Sequence, residues 1–325
     1  MAVKYILKEV EEDIEDVIKT SFKHAITKQV PNSNDSYLTF ERDSEKRGKI
    51  IETCVLYVDI RSSVAMTEKV GPDVMSKIYT AFIKSVIKIG RHHNGSTRNI
   101  IGDRVMLVFP SEGCFTNAIS CAISINHMVE KLLAERIEQV SFKCGIGIDY
   151  GVLRVIKVGI QRNGNERSEN KGLVWTGKPA NLASRLTDFA NKTIKLHFYE
   201  VTRFALRNPN PFKFFLKSSA PRSQFSTASS KYLTTTETIK ISVEDFAGSF
   251  GMSSDGEIIN NQGKLVNFKK VDQSIDYPAI LITERVYDGL KNSDEKLVHN
   301  YWKEQKEKIK NMDCKVYGCS LTWKI

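Results

Sequence analysis

Ile6, Val10, Ile14, Val17, Ile18 and Phe22 recur at helical spacing, which predicts an amphipathic helix over residues 5–28. Pro31 and the polar N-S-N-D-S stretch after it end that helix, and the charged segment 41–50 leads into the first strand. From there the period changes. V55-L-Y-V-D-I60 and the runs on either side of Gly102-Asp103 are apolar and rich in β-branched residues, as buried strands are. The pattern predicts a strand over 51–59, helices over 62–70 and 72–93, and strands over 98–101 and 104–109 joined by a hairpin at Gly102–Asp103. A helix over 114–135, strands over 140–149 and 151–159, a polar loop at 162–170, a strand or short turn at 173–176 and a helix over 178–190 follow. This β-α-β-β-α-β order is ferredoxin-like, an α+β fold. Between Lys192 and about Ile275 the character shifts. The stretch 217–230 is rich in Ser, Thr and Pro and reads as loop, while 237–245 and 263–270 read as strands around Gly-rich turns. A strand-helix pair at 278–290 and a last strand at 314–323 return to the core pattern. The chain therefore divides into an N-terminal helical segment (1–50), a core domain (51–192 with 275–325) and a β-rich insertion of unknown role (193–274). There is no internal repeat.

The bulk numbers narrow the class without deciding it. In 325 residues, 41% are hydrophobic and 26% charged, a soluble globular balance with ample material for a core. No apolar run approaches the roughly 18 residues that span a bilayer, and the N-terminal M-A-V-K-Y-I-L-K-E-V lacks the apolar core of a secretory signal. The six cysteines (54, 114, 121, 144, 314 and 319) form no Cys-x-x-Cys pair, and several lie in apolar runs, so buried free thiols and a cytosolic location are expected. A net charge of +10 at pH 7 attracts any polyanion equally. The lysines of 301–310 alternate with glutamate, which reads as the solvated face of a C-terminal helix.

The candidate chemistry rests on two aspartates, 44 residues apart in sequence. Asp59 closes an apolar strand just before a polar turn and a helix start; Asp103 sits in the I-G-D-R hairpin. On adjacent central strands the two carboxylates would meet beside a helix N-terminus, an arrangement suited to two Mg²⁺ or Mn²⁺ ions and a triphosphate. The Ile60 carbonyl is a further oxygen ligand for such ions, and the amides of Arg61, Ser62 and Ser63 open the helix where phosphates bind. Downstream, G177-K-P-A-N-L-A-S-R185 runs from a glycine turn into a helix, with Asn181 and Arg185 on one face.

These motifs in this order resemble the class III nucleotidyl cyclases, over about residues 51–192 and 275–325. The resemblance implies a palm-like core that cyclises a nucleoside triphosphate with two metal ions on Asp59 and Asp103. Arg185 would meet the charge that grows on the α-phosphate, and Asn181 would orient the ribose. In the family these two residues come from the opposite subunit, which implies a homodimer with shared active sites. Gly and Phe-like residues are common in the family where Ser62 and Ser63 stand; backbone amides do the binding, so the departure is mild.

The base-reading positions depart further. Adenylyl cyclases usually carry a lysine four residues before the second metal aspartate and an aspartate three residues before the glycine of the Asn/Arg motif. Here those positions hold Asn99 and Val174, and the guanylyl pattern is absent as well. A site built on hydrogen bonds discriminates strongly, so this argues against efficient ATP cyclisation. Tyr57, two residues before Asp59, and Arg104, directly after Asp103, stand close instead. Tyr57 narrows the pocket against a purine, and Arg104 can donate to a pyrimidine carbonyl. Y-x-D with G-D-R resembles the pyrimidine cyclases of bacterial anti-phage Pycsar systems, which implies cyclic UMP or cyclic CMP made for a partner effector, with UTP favoured over CTP. The alternatives are an adenylyl or guanylyl cyclase with an atypical base pocket, or a catalytically silent cyclase-fold sensor. No stable nucleic-acid or membrane binding is expected. The aromatic-basic run 212–217 reads as packing, His92-His93 as a helix end, and G145-I-G-I-D-Y-G151 as strand, since no helix follows it.

Overall fold

The computed structural model describes residues 2–41, 44–137, 140–160, 170–207, 233–252, 256–260, 263–298, 300–305, 309 and 312–324. The Ser/Thr/Pro-rich stretch 217–230, the run 212–217 and all of the expected polar loop but Asn170 lie outside the described residues. The chain forms two units: residues 1–192 with 276–325, and residues 193–275.

The first unit holds α1 (Ala2–Lys19), β1 (Phe22–Ile26), β2 (Lys46–Ile60), α2 (Ser63–Val70), α3 (Pro72–His92), β3 (Ser96–Ile101), β4 (Arg104–Val108), α4 (Cys114–His127), β5 (Cys144–Gly159), β6 (Lys171–Thr176) and α5 (Lys178–Phe189). After the second unit it closes with β12 (Ile280–Thr283), α7 (Glu284–Ser293), β13 (Lys303–Glu304) and β14 (Val316–Cys319). The sheet runs β13-β14-β12-β5-β2-β4-β3, with β1 alongside β2 and β6 alongside β5. Its central run β5-β2-β4-β3 is antiparallel throughout. That is the ferredoxin-like order, with the fourth strand beside the first and the third between first and second.

Residues 54–58 of β2 are continuously apolar because both faces of the strand are covered there. Leu56, Val58 and Ile60 join Val105, Leu107, Ile146 and Ile148 under α2, α3, α4 and α7, which contribute Met66, Phe82, Val86, Ile119 and Leu290. Ile51 and Val55 join Met106, Val108, Leu153 and Val155 under Ala180 and Ala183 of α5. The helix α3 starts at Pro72 with Asp73 in its first turn, buries Met75, Ile78, Phe82 and Val86 on one stripe, and stops before Asn94 at φ 58°. The π-helical turn Met128–Leu133 extends α4 past His127 in place of the single helix expected to 135.

Gly145 and Gly147 on β5 exist because α5 lies directly on that strand. A β-carbon at Gly147 would overlap the Ala183 carbonyl and the Thr187 amide. Gly147→Ala is therefore expected to push α5 off the sheet and destabilise the unit by about 1–3 kcal/mol. A thermal melt unchanged by the substitution would refute that close packing.

Three expectations change. The helix over 5–28 ends at Lys19, and Phe22–Ile26 pairs in parallel with Lys46–Ile50, so Phe22 belongs to a strand. The strands expected at 140–149 and 151–159 are one strand, because β2 is long enough to pair with Cys144 through Ile156 without a break. Residues 301–305 are not helical. Trp302 is buried with its Nε1 donating to the Leu297 carbonyl, and Lys303–Glu304 pairs with Tyr317 and Gly318.

The second unit is a five-stranded sheet in the order β8-β7-β11-β10-β9. It consists of β7 (Thr193–Arg207), β8 (Leu233–Ser242), α6 (Val243–Gly248), β9 (Phe250–Met252), β10 (Ile258–Asn260) and β11 (Gly263–Asp276). The expected strand 237–245 stops at Ser242, whose hydroxyl accepts from the Asp245 amide and caps α6. Tyr199, Phe246, Phe250 and Phe268 cluster on this sheet, Tyr199 and Phe246 stacked at 3.8 Å. No helix among the described residues is long and apolar enough to cross a membrane.

Candidate active site

Asp59 lies one residue from the end of β2, on the α5 face that also carries Tyr57. Asp103 sits in the turn between β3 and β4, where Gly102 takes φ 61°. Because β4 pairs with β2, this turn ends beside Asp59. Asp103 senses the charge of Asp59. Burial pushes the Asp103 carboxyl above its ordinary pKa, and the Asp59 charge pushes it further, while the Ser63 hydroxyl and Arg104 pull the other way. Asp103 Oδ2 is out of solvent and has no hydrogen-bond partner.

A buried, unpartnered carboxylate oxygen facing a second carboxylate is what a hard divalent cation relieves. The donors are all oxygen, as Mg²⁺ and Mn²⁺ require. Among the described residues no cluster of three or more His, Cys, Asp or Glu side chains is present, so the fit rests on this pair and nearby backbone carbonyls. Ile60, the last residue of β2, follows Asp59 with its side chain in the core.

Asp59 already has a cation. Arg104 Nη2 donates to Asp59 Oδ2 at 2.7 Å and to Asp188 Oδ1 at 2.5 Å, and its Nη1 donates to the Ser184 hydroxyl at 3.0 Å. Burial opposes the Arg104 charge, but the two carboxylates outweigh it and raise its pKa. Arg104 thus ties Asp59 to α5 rather than standing free, and Ser184 and Asp188 belong to the cluster. Sequence reasoning passed over both, although each lies three residues after Asn181 or Arg185 and so on a neighbouring helical face. Tyr57 is half-buried with its hydroxyl donating to Met106 Sδ at 3.2 Å, and burial raises its pKa.

At the turn, Ser62 adopts the left-handed conformation at φ 57°, a place that suits glycine. The amides that open α2 are those of Ser62 and Ser63. Arg61 is a correction: its amide donates to the Lys143 carbonyl at 2.9 Å, and its buried guanidinium donates to the Thr187 carbonyl. It fastens β2 to α5 and has no amide left for a phosphate.

The α5 motif is split by facing. Ala180, Ala183, Leu186 and Thr187 are buried, Asn181 is exposed and Arg185 is half-exposed. The contacts to the carboxylate cluster come from Ser184 and Asp188. Of the base-reading candidates, Asn99 is exposed on β3 opposite Met106. Val174 pairs with Ile156, so its side chain lies on the sheet face away from α5; Trp175 takes the α5 face instead. His93 bonds the Ser124 hydroxyl at 2.9 Å in the opposite helical layer, away from this cluster.

No family profile matches the chain. It is 32% identical over 175 residues to a uridylate cyclase from Burkholderia cepacia, across 52% of this chain and 72% of that protein. It is 30% identical over 147 residues to a uridylate cyclase from a Rhodovulum species, across 42% of this chain and 58% of that one. Among solved structures, an adenylyl cyclase from P. aeruginosa aligns with TM-score 0.46 and 14% identity over 83% of this chain and 94% of that chain.

Proposed function

The chain belongs to the uridylate cyclase family of class III nucleotidyl cyclases, and on that premise we propose that it converts UTP to 3′,5′-cyclic UMP and diphosphate. The observation that carries the reading is the Asp59–Asp103 pair, with its unpartnered buried oxygen, at the mouth of the α2 turn. Asp59, Asp103 and the Ile60 carbonyl would hold two Mg²⁺ or Mn²⁺ ions per site, whose chemistry would be to acidify the ribose 3′-hydroxyl and neutralise the diphosphate leaving group.

The chain's own groups do the rest. The Ser62 and Ser63 amides, at the positive end of α2, receive the β- and γ-phosphates. Arg185 places a cation on the α-phosphate as its charge grows, and Asn181 orients the ribose. Both act on the nucleotide held by a second copy, so two chains build two composite sites. Val3, Leu7, Val10, Ile14 and Val17 form an exposed apolar stripe on α1, the kind of surface a second copy covers. Tyr57 limits the pocket to a single ring. Arg104, held between Asp59 and Asp188, is the donor on this side that would meet a pyrimidine carbonyl. The product serves as a second messenger in anti-phage defence, read by a downstream effector protein.

The test is to incubate the purified chain with Mn²⁺ and ATP, GTP, CTP or UTP separately and resolve the products by mass spectrometry. Cyclic UMP as the main product is expected. Cyclic AMP or GMP would overturn the base assignment and keep the cyclase, and no product from any nucleotide would favour a silent sensor.

A further inference from the structure

Two hydrogen-bond donors lie buried and unanswered on the α5 face of the sheet. Neither Arg98 Nε nor Trp175 Nε1 is reached by solvent, and neither meets an acceptor. The Arg98 guanidinium stands 5.8 Å from the centre of the Trp175 ring. Its Nη1 makes a long contact of 3.4 Å with the Thr97 carbonyl, and among the described residues it enters no ion pair. Burial alone lowers its pKa, with no carboxylate opposing the shift.

The backbone explains how both side chains arrive there. The β3–β4 register slips between Thr97 and Asn99, so Arg98 is an extra residue beside Met106 on that face. Trp175 pairs with Val155 and packs on the cluster that holds Met106, Ala180 and Ala183, two residues before the glycine that opens α5. Leaving a buried donor without an acceptor is costly, because the water it gave up is not replaced. Native proteins rarely leave one so, and here two lie together with an uncompensated cation.

We infer that Arg98 and Trp175, rather than Asn99 and Val174, read the base edge, by donating to the carbonyl oxygens of a uracil ring. The inference rests on the pyrimidine reading and deepens it. A flat indole beside two N–H groups suits a planar ring with acceptors better than a phosphate. Uracil offers two carbonyls about its N3–H, whereas cytosine replaces one of them with an amino donor that would face another donor. Arg98, Trp175, Asn181 and Arg185 thus act from one chain on one nucleotide.

The test uses 3′-deoxy-UTP and 3′-deoxy-CTP, which bind but cannot cyclise, titrated calorimetrically into the full chain in Mg²⁺. Trp175→Phe keeps the ring and removes the N–H; Arg98→Lys keeps the charge and removes the fork. Each is expected to weaken 3′-deoxy-UTP about tenfold or more; the variant that loses the donor to O4, the carbonyl cytosine lacks, is expected to leave 3′-deoxy-CTP within about twofold, while the variant that loses the donor to the shared O2 weakens both analogues. KM for UTP should rise while kcat holds. Equal weakening of both analogues by both variants, no change in 3′-deoxy-UTP binding by either variant, no binding of 3′-deoxy-UTP by the parent, or lowered melting temperatures with unchanged affinity ratios in both variants would each overturn the inference. A parent chain with this affinity pattern that forms no cyclic nucleotide would instead refute the cyclase reading and leave the base-edge pair standing.

Discussion

Asp103→Asn should make no cyclic nucleotide and yet melt above the parent chain in metal-free buffer. Loss of a metal ligand removes several kcal/mol of transition-state stabilisation, about a thousandfold or more in rate at roughly 1.4 kcal/mol per factor of ten. The stability gain follows from the electrostatics of the two carboxylates in metal-free buffer. Burial and the Asp59 charge raise the Asp103 pKa above its unfolded value, so ionising it weakens the fold. That penalty is fully present above the raised pKa, shrinks as pH falls through it, and is gone below the ordinary carboxylate range. The melting advantage of Asp103→Asn should therefore be present at neutral pH and vanish in acid. Adding Mg²⁺ should reverse the order, because the parent alone gains a bound ion. Asp59→Asn should be just as inactive but melt lower, since it breaks the half-buried ion pair with Arg104. Turnover retained by either variant would remove the metal assignment. A lower melting point for Asp103→Asn at neutral pH would remove the account of the pair.

The meeting of Asp59 with Asp103 was legible because both aspartates interrupt apolar runs, and a charge ending a strand stands out in one dimension. That Asn181 and Arg185 lie one turn apart on a single helix was legible for a related reason: helical spacing fixes which residues are neighbours. What was missed depends on partners distant in sequence. Phe22–Ile26 reads as a continuing helix until β2 supplies a parallel ladder from Lys46. Residues 140–149 and 151–159 read as two strands until a single long neighbour pairs across both. Arg98 and Asn99 are interchangeable in a linear pattern; a register slip against β4 is what distinguishes them. Ser184 and Asp188 carry no motif of their own, and their place depends on where the Arg104 side chain ends. The segment 301–310 was read as helical from its alternation of lysine with glutamate, which carries no information about Trp302 packing into the core.

An equal mixture of Asp59→Ala and Arg185→Ala chains, each inactive alone, should recover about a quarter of the parent activity once subunits exchange. In such a mixture about half of the dimers pair one chain of each kind. In those dimers the Arg185→Ala chain supplies intact carboxylates and the Asp59→Ala chain supplies an intact arginine. One site is then whole and the other is doubly broken. The structural ground is the division of α5. Ser184 and Asp188 hold Arg104 against the chain's own Asp59, while Asn181 is exposed one face away. A helix that braces its own carboxylate with one face can turn another, where Asn181 is exposed, toward a neighbour. The control is exchange itself, followed by native mass spectrometry of differently tagged chains. Rescue near a quarter establishes composite sites. No rescue between chains seen to exchange would place Arg185 in the site of its own chain, and the Arg104–Asp188 tie would then hold α5 to the carboxylate it serves.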